Sequence, residues 1–281
     1  MSAYRFCRTD DVALLVDALN RCWVPYFPGE PPVTAASFKR SIRDLQVWCS
    51  SCMVAFAGAE PIGVLIGAKR PSGTLIHRIA VHPDHLRQGH GRHLLASLSS
   101  KLAILGPPRI IAEVPETLLA ACGLFSASGY AQAEILTDYV QEGPGLTERR
   151  SLGQVGGFVI PVTVDDLAAN GLLEDYAPIC WRRSPETLNA RKDAIKGLAV
   201  ASEEQIEAYL LYIEDEAEIL ALRSFVDDGG SRLNLLLSQV GLPTLMFPKV
   251  HPSEIPANYL ETLGFRPSGV HRLYATTARS Q

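Results

Sequence analysis

Along this chain, apolar and polar positions switch between a period of two and a helical period. Residues 3–9 alternate as a strand does, and Thr9-Asp10-Asp11 reads as the cap of a helix from Val12 to about Cys22. A loop rich in proline and aromatic residues, Trp23 to Val33, precedes a second helix over about Thr34 to Asp44. Two strands follow, Cys52–Ala57 and Pro61–Lys69, joined by the turn Gly58-Ala59-Glu60. A further strand, Leu75–His82, runs through a loop at Pro83–Gln88 into a helix from about Gly89 to Leu105. An apolar strand (Arg109–Pro115), a helix (Thr117–Ser128) stopped by Gly129, and a strand (Gln132–Gln141) complete this half.

The same order then returns. Residues 142–157 are glycine-rich and polar, as linkers are. A strand at Phe158–Thr163 leads to Val164-Asp165-Asp166 and a helix, echoing Thr9-Asp10-Asp11. Strands at Gly197–Ala201, Glu207–Glu214 and Ala217–Val226 come next. They are followed by a helix after Gly229-Gly230, a strand at Thr244–Lys249 and a helix at Glu254–Leu263. Gly264-Phe265 stands opposite Gly129-Tyr130. The landmark offsets are 155 (165 − 10) and 135 (264 − 129), so the second copy is shorter by 20 residues (155 − 135) between them. A repeat at this scale predicts two domains of one α/β fold rather than a solenoid. The expected division is 1–145, a linker at 146–157, and 158–281.

Composition narrows the function classes. The 281 residues are 47% apolar and 20% charged with a formal net charge of −4, ordinary for two globular domains. Mild acidity gives no footprint for nucleic acid or anionic membrane, and no apolar run reaches a membrane span. The N-terminus enters a strand-like segment with no signal-peptide pattern, so a cytoplasmic setting is expected. Six irregularly spaced cysteines do not form a disulfide framework. Cys49-Ser50-Ser51-Cys52 has the spacing of half a zinc site, but no second pair completes it. No metal is expected.

The strongest chemical signal is Ile79-Ala-Val-His-Pro-Asp-His-Leu-Arg-Gln-Gly-His-Gly-Arg-His-Leu-Leu95. A strand ends, a short loop follows, and two glycines open a helix. The first N–H groups of a helix lack intrahelical partners and point along the positive end of its dipole, which favours an anion. Glycine at 89 and 91 lets a ligand approach the backbone closely. Arg87 and Arg92 add charge at the rim. These residues describe a diphosphate cradle. A P-loop would need Gly-Lys-Ser/Thr, and Gly91 is followed by Arg92-His93. A dinucleotide fingerprint would need a third glycine at Leu94 and an acidic residue near Ile110, and both are missing.

The segment resembles the acetyl-CoA loop of the GNAT superfamily of N-acetyltransferases. Val81-His82-Pro83, Gly89, Gly91 and Leu94-Leu95 stand in the family's pattern, while Leu86 stands where Arg or Gln is usual. The resemblance implies two tandem GNAT-like domains, each a mixed, mostly antiparallel sheet flanked by helices. It implies acetyl-CoA as cosubstrate, with Leu75–His82 splaying from Arg109–Pro115 to admit pantetheine. Carried over by position, the main chain of Ile79 and Val81 meets the pantetheine and acetyl group. Arg87, Gln88, Gly89, His90, Gly91 and Arg92 hold the diphosphate.

Acetyl transfer to an amine requires a route for a proton. The tyrosine usual four residues before Gly129 is Phe125, the usual asparagine is Leu118, and the strand carries no glutamate. The remaining candidates are His77, expected on the same strand face as Ile79 and Val81, and Tyr139 or Asp138 on the last strand of the first half. Glu113 and Glu116 flank the strand end. His82, His85, His90 and His93 crowd the loop without a ligand partner. Trp23, Tyr26 and Phe27 are expected either to stack on an apolar acceptor or to pack beneath their loop. In the second half Gly-x-Gly is lost, and Asp227-Asp228 put negative charge where a diphosphate would sit. No cofactor is expected there. The implied function is acetyl-CoA-dependent N-acetylation of a small amine or peptide amino group by direct attack on the thioester. The chain would be a monomer with an internal pseudo-dimer, or a homodimer. The rival from another class is a non-catalytic acyl-CoA-binding or sensor protein.

Overall fold

The computed structural model describes residues 2–142, 157–173 and 180–278. Most of the expected linker therefore lies outside the described residues. The chain divides into two compact units, Met1–Glu134 with Arg272–Gln281, and Ile135–His271.

The first unit runs β1 (Ser2–Phe6), α1 (Val12–Cys22), α2 (Ala35–Leu45), β2 (Met53–Ala57), β3 (Glu60–Arg70), β4 (Gly73–Val81), α3 (His90–Leu105), β5 (Arg109–Pro115), α4 (Leu119–Ala127) and the start of β6 (Ala131–Glu142). Strands β1 to β4 pair antiparallel in chain order. Strand β3 is buried almost throughout, as a central strand covered on both faces must be. Helix α1 turns Leu15, Ala18, Leu19 and Cys22 inward, the i, i+3, i+4, i+7 stripe of an amphipathic helix. Helix α3 buries Leu94, Leu95, Leu98 and Leu102 against β2, β3 and β5 residues on the other face.

One local expectation is corrected. The α1 terminus has no side-chain cap; the Asp11 carboxylate instead accepts the Arg8 N–H at 2.7 Å and pairs with Arg5 at 2.8 Å. Its echo at Thr163 is a true capping box, closed with Asp166. The Thr34 cap of α2 also closes a box, with Ser37.

The second unit contains β7 (Phe158–Pro161), α5 (Val164–Ala169), α6 (Pro185–Arg191), β8 (Lys196–Ala201), β9 (Ile206–Ile213), β10 (Glu218–Ser224), α7 (Ser231–Val240), β11 (Thr244–Val250), α8 (Ala257–Thr262) and most of β12 (Arg266–Thr277). Strands β7 to β10 pair antiparallel in chain order, and β10 pairs with β11 in parallel. Both units are thus mixed, mostly antiparallel α/β layers. The division cuts β6 after Glu134 and β12 after His271. The expected boundary had grouped residues 272–281 with the second half; the described ones among them, 272–278, belong instead to the first unit. Tyr274 is 1% exposed and stacks on Phe125 with ring centroids 5.6 Å apart. A buried aromatic ring anchors this terminal segment, a long-range contact that local pattern does not encode.

Candidate acetyl-CoA and acceptor site

In the first unit, β4 and β5 run parallel but pair only at Thr74–Ile110 and Leu75–Ile111. Beyond Leu75 the strands part. The His82 N–H donates to the Ile62 carbonyl at 2.9 Å, and Val81 lies opposite Gly63. In an antiparallel ladder this makes residues 80 and 82 the ones bonded to β3. Ile79 and Val81 turn their N–H and C=O groups to the opposite edge, where β5 has departed. Apart from the Val81 carbonyl, which accepts a side-chain hydroxyl, that edge is open for an extended chain to pair with.

The loop after β4 carries the second half of the site. Arg87 (φ 61°) and Gly89 (φ 86°) both take left-handed backbone, and Gly89 caps α3. The first α3 bond runs from the His93 N–H to the Gly89 carbonyl, so the N–H groups of residues 90–92 have no intrahelical acceptor. The two glycines serve different ends. A Cβ on Gly89 would meet nothing within 4 Å, so this residue supplies the positive φ and borders open space. A Cβ on Gly91 would come 3.0 Å from the Leu124 side chain, so Gly91 lets α4 close on α3. Arg87, Gln88 and Arg92 are exposed around the loop. The His90 side chain turns inward: it is 5% exposed, with Nδ1 2.6 Å from the Tyr4 hydroxyl. Burial, then His85 and His93, hold its pKa below the usual histidine range. His90 can therefore offer an anion its main-chain N–H, with the ring bracing the loop from beneath.

On the α1–α2 side lies a cleft of about 510 Å³, lined by Leu19, Glu30, Val33, Phe38, Ile66, His77 and Arg78 among others. A bulge in β4 explains why both His77 and Arg78 reach it. Ile76 pairs with Gly67 and Arg78 with Ile66, leaving His77 as the extra residue. Ile76 and Ile79 face the α3 side. His77 is therefore not on the face of Ile79 and Val81, as strict alternation predicts, but on the opposite one with Arg78.

The aromatic loop is organised internally. Trp23 stacks on Phe27 at 4.5 Å and donates from Nε1 to Glu30 at 3.2 Å. The Tyr26 hydroxyl donates to the Val81 carbonyl at 2.6 Å, tying the loop to the free edge of β4. Trp23, Tyr26 and Phe27 are not among the cleft-lining residues; the loop presents Glu30 to Thr34 instead. Tyr26→Phe should leave the fold intact and cost about 0.5–1.5 kcal/mol. Faster amide exchange confined to residues 24–31 would show it; unchanged exchange there would mean that the bond does not hold the loop.

Tyr139 belongs to the second unit, where it is 5% exposed within an apolar cluster with Leu245 and Phe247. Asp138 holds His271 at 2.8 Å and accepts the Lys249 N–H at 2.8 Å. Glu116 approaches Arg272 at 3.9 Å. Phe125 is 1% exposed in the first unit's core. The six cysteines are buried and outside any disulfide, and burial pushes the Cys7 thiol up to about 12 and Cys22 to about 11. These are inert packing residues.

The second unit keeps the site's frame and fills it with its own side chains. Strands β10 and β11 pair in parallel only at Glu218–Met246. Beyond that point the fully buried Arg183 donates to the Leu220 carbonyl of β10 at 3.5 Å and to the Lys249 carbonyl of β11 at 3.1 Å. At the start of α7, the Asp228 carboxylate accepts the N–H groups of Gly230 and Arg232, each at 3.0 Å, and pairs with Arg232 at 2.8 Å. Burial works against that charge, but the Arg232 and backbone hydrogen bonds outweigh it and hold the Asp228 pKa low. The place of an external anion is taken.

Residues 13–130 match the family model of the Acetyltransferase (GNAT) family. The first unit therefore carries a GNAT acetyltransferase domain. Solved structures of tandem and GCN5-related proteins share the fold over the whole chain. A tandem GNAT protein from the clavulanic acid biosynthesis pathway is 13% identical with a TM-score of 0.65, covering 100% of both chains. A GCN5-related N-acetyltransferase from Sphaerobacter thermophilus is 13% identical at TM-score 0.68, covering 99% of this chain and 96% of that one. A protein described as an acetyltransferase from Pyrococcus horikoshii is 15% identical at TM-score 0.66, covering 99% and 90%. Among the described residues no helix is long and apolar enough to cross a membrane.

Proposed function

We propose that this protein is an N-acetyltransferase that binds one acetyl-CoA per chain and acetylates a small amine. The observation that carries the reading is the parting of β4 from β5 beside an open, glycine-capped helix start. The N–H groups of residues 90–92 and the rim arginines 87 and 92 hold the diphosphate. The free edge at Ile79 and Val81 takes the pantetheine as an added strand, with the Val81 carbonyl already engaged by Tyr26. Bound acetyl-CoA supplies an activated acetyl group for direct attack by a neutral amine. The cleft that ends on His77 and Arg78 receives that amine, and the His77 imidazole lining it takes the role of proton acceptor. A cytoplasmic enzyme with a small-molecule acceptor accords with the reduced cysteines and the cleft's size.

A second reading, a non-catalytic acyl-CoA-binding protein, draws on Phe125, a core residue where the family's tyrosine acid is usual. Thiol release from acetyl-CoA across a panel of amines separates the two. Acceleration by an amine supports the enzyme, and binding without any acceleration supports the sensor.

Gly89→Val tests the loop. A β-branched residue at φ 86° is strained, and its side chain would enter the open space above the helix start. We expect acetyl-CoA affinity to fall at least about 100-fold, the loss of two or more charged hydrogen bonds, with circular dichroism unchanged. Unaltered affinity by calorimetry would remove the loop from the site.

A further inference from the structure

We propose that the acceptor carries a carboxylate beside its amine, as an apolar amino acid does, and that Arg78 binds that carboxylate. This rests on the acetyl-transfer reading for the second substrate, but its chemistry is written in the cleft itself.

Arg78 reaches the cleft because of the β4 bulge, and its backbone adjoins Ile79 on the free edge. Its guanidinium carbon sits 5.0 Å over the Trp23 ring. The ring fixes the plane of the fork while spending none of its N–H donors. Glu30, the carboxylate whose charge acts on it, accepts from Trp23 Nε1. Among the described residues the Arg78 side chain makes no ion pair and no hydrogen bond, its contact being the Trp23 ring. A half-buried guanidinium with unspent donors at the wall of a cleft is a receptor for a planar anion, and a carboxylate matches its fork.

The other cleft groups define the rest of the ligand. Thr34 and Ser37 are spent on each other in the α2 cap, and the Ser41 hydroxyl donates to the Ser37 carbonyl. Leu19, Val33, Phe38 and Ile66 supply apolar wall. Exposed Arg40 and Glu30 stand at the rim with opposite charges. An anionic anchor, an apolar body and an amine directed along β4 toward residues 79–81 fit this arrangement. A strand rises about 3.3 Å per residue, so the anchor's backbone lies about 3–10 Å from those positions. A small amino acid spans that distance.

The test uses the full chain, acetyl-CoA and amine pairs that differ only in the carboxylate: phenylalanine with 2-phenylethylamine, and leucine with 3-methylbutylamine. In the wild type, kcat/KM should favour the acid of each pair by about 100-fold, the strength of a bidentate charged contact. In Arg78→Gln that ratio should fall toward 1 through KM, and Arg78→Lys should fall between. Acetyl-CoA affinity should not change, which also shows that the variants are folded. A wild-type preference for the amines, or an equal loss for both members of each pair in both variants, overturns the proposal. If no amine is turned over, calorimetry on the same pairs decides. Carboxylate-dependent binding that Arg78→Gln abolishes upholds Arg78 as the anchor while overturning acetyl transfer. Binding without carboxylate dependence, or none, overturns the proposal.

Discussion

Replacing Tyr274 by alanine should destabilise the first unit by about 3–5 kcal/mol, the usual cost of deleting a fully buried aromatic ring. The residue lies far along the chain from the domain it stabilises. Its ring is 1% exposed, lies nearly parallel to Phe125 at an interplanar angle of 18°, and joins the cluster that holds Leu94, Leu95 and Leu98 of α3. The segment is also held by main-chain bonding, for the Ala278 N–H donates to the Pro108 carbonyl at 2.6 Å. Domain stabilities are about 5–15 kcal/mol, so one such loss removes a large share. Because the proposed diphosphate loop opens α3, acetyl-CoA binding should weaken along with stability. Hydrogen exchange of peptides from β5 and α3 is the suitable readout, since a chain of two units need not unfold in one step. If exchange in those elements is unchanged in Tyr274→Ala, the C-terminal strand is not part of the first unit's core.

The sequence carried much of this architecture locally and little of it at long range. Helix α1 and strand β5 fall where the periodic pattern puts them, because eleven and seven residues of consistent pattern outweigh local ambiguity. The glycine-opened helix was legible for the same reason: the backbone chemistry of residues 89–91 is written in consecutive letters. The role of each glycine was not. Gly91 answers to Leu124, a neighbour only in space. The face of His77 was also hidden. A single bulged residue breaks alternation and flips the face of what precedes it, and no residue type in Leu75–Val81 announces it. Arg78 could have been noticed as a charge inside an apolar strand. Its contact with Trp23 depends on a loop closing over 55 residues. The C-terminal strand was missed because its partners are more than a hundred residues away.

Arg183→Met should destabilise the second unit by about 3–5 kcal/mol, whereas the double change with Glu254→Leu should recover much of that loss. Arg183 has no side-chain exposure, and Glu254 has 5%. Their two hydrogen bonds, 2.5 and 2.6 Å long, form a bidentate pair. The guanidinium also lies 4.6 Å from the Phe247 ring. Burial alone would lower the Arg183 pKa; Glu254 outweighs it and keeps the cation charged. Removing the arginine alone strands a buried carboxylate. Removing both charges replaces them with apolar volume in an apolar setting, which is why the paired change should be far milder. Denaturant melts of the two single variants and the double variant give the coupling directly. Additive losses would mean that the two residues do not act as a pair. The same variant bears on the site count. Arg183 links the carbonyls of Leu220 and Lys249 where β10 and β11 part, while Asp228 takes the N–H groups at the start of α7. These side chains satisfy, from within, the groups that the first unit leaves open. Loss of Arg183 should therefore lower the stability of the second unit without adding or removing an acetyl-CoA site. Calorimetry on the intact chain should still count one site, and a stoichiometry of two would show that the second unit had been closed only by Arg183.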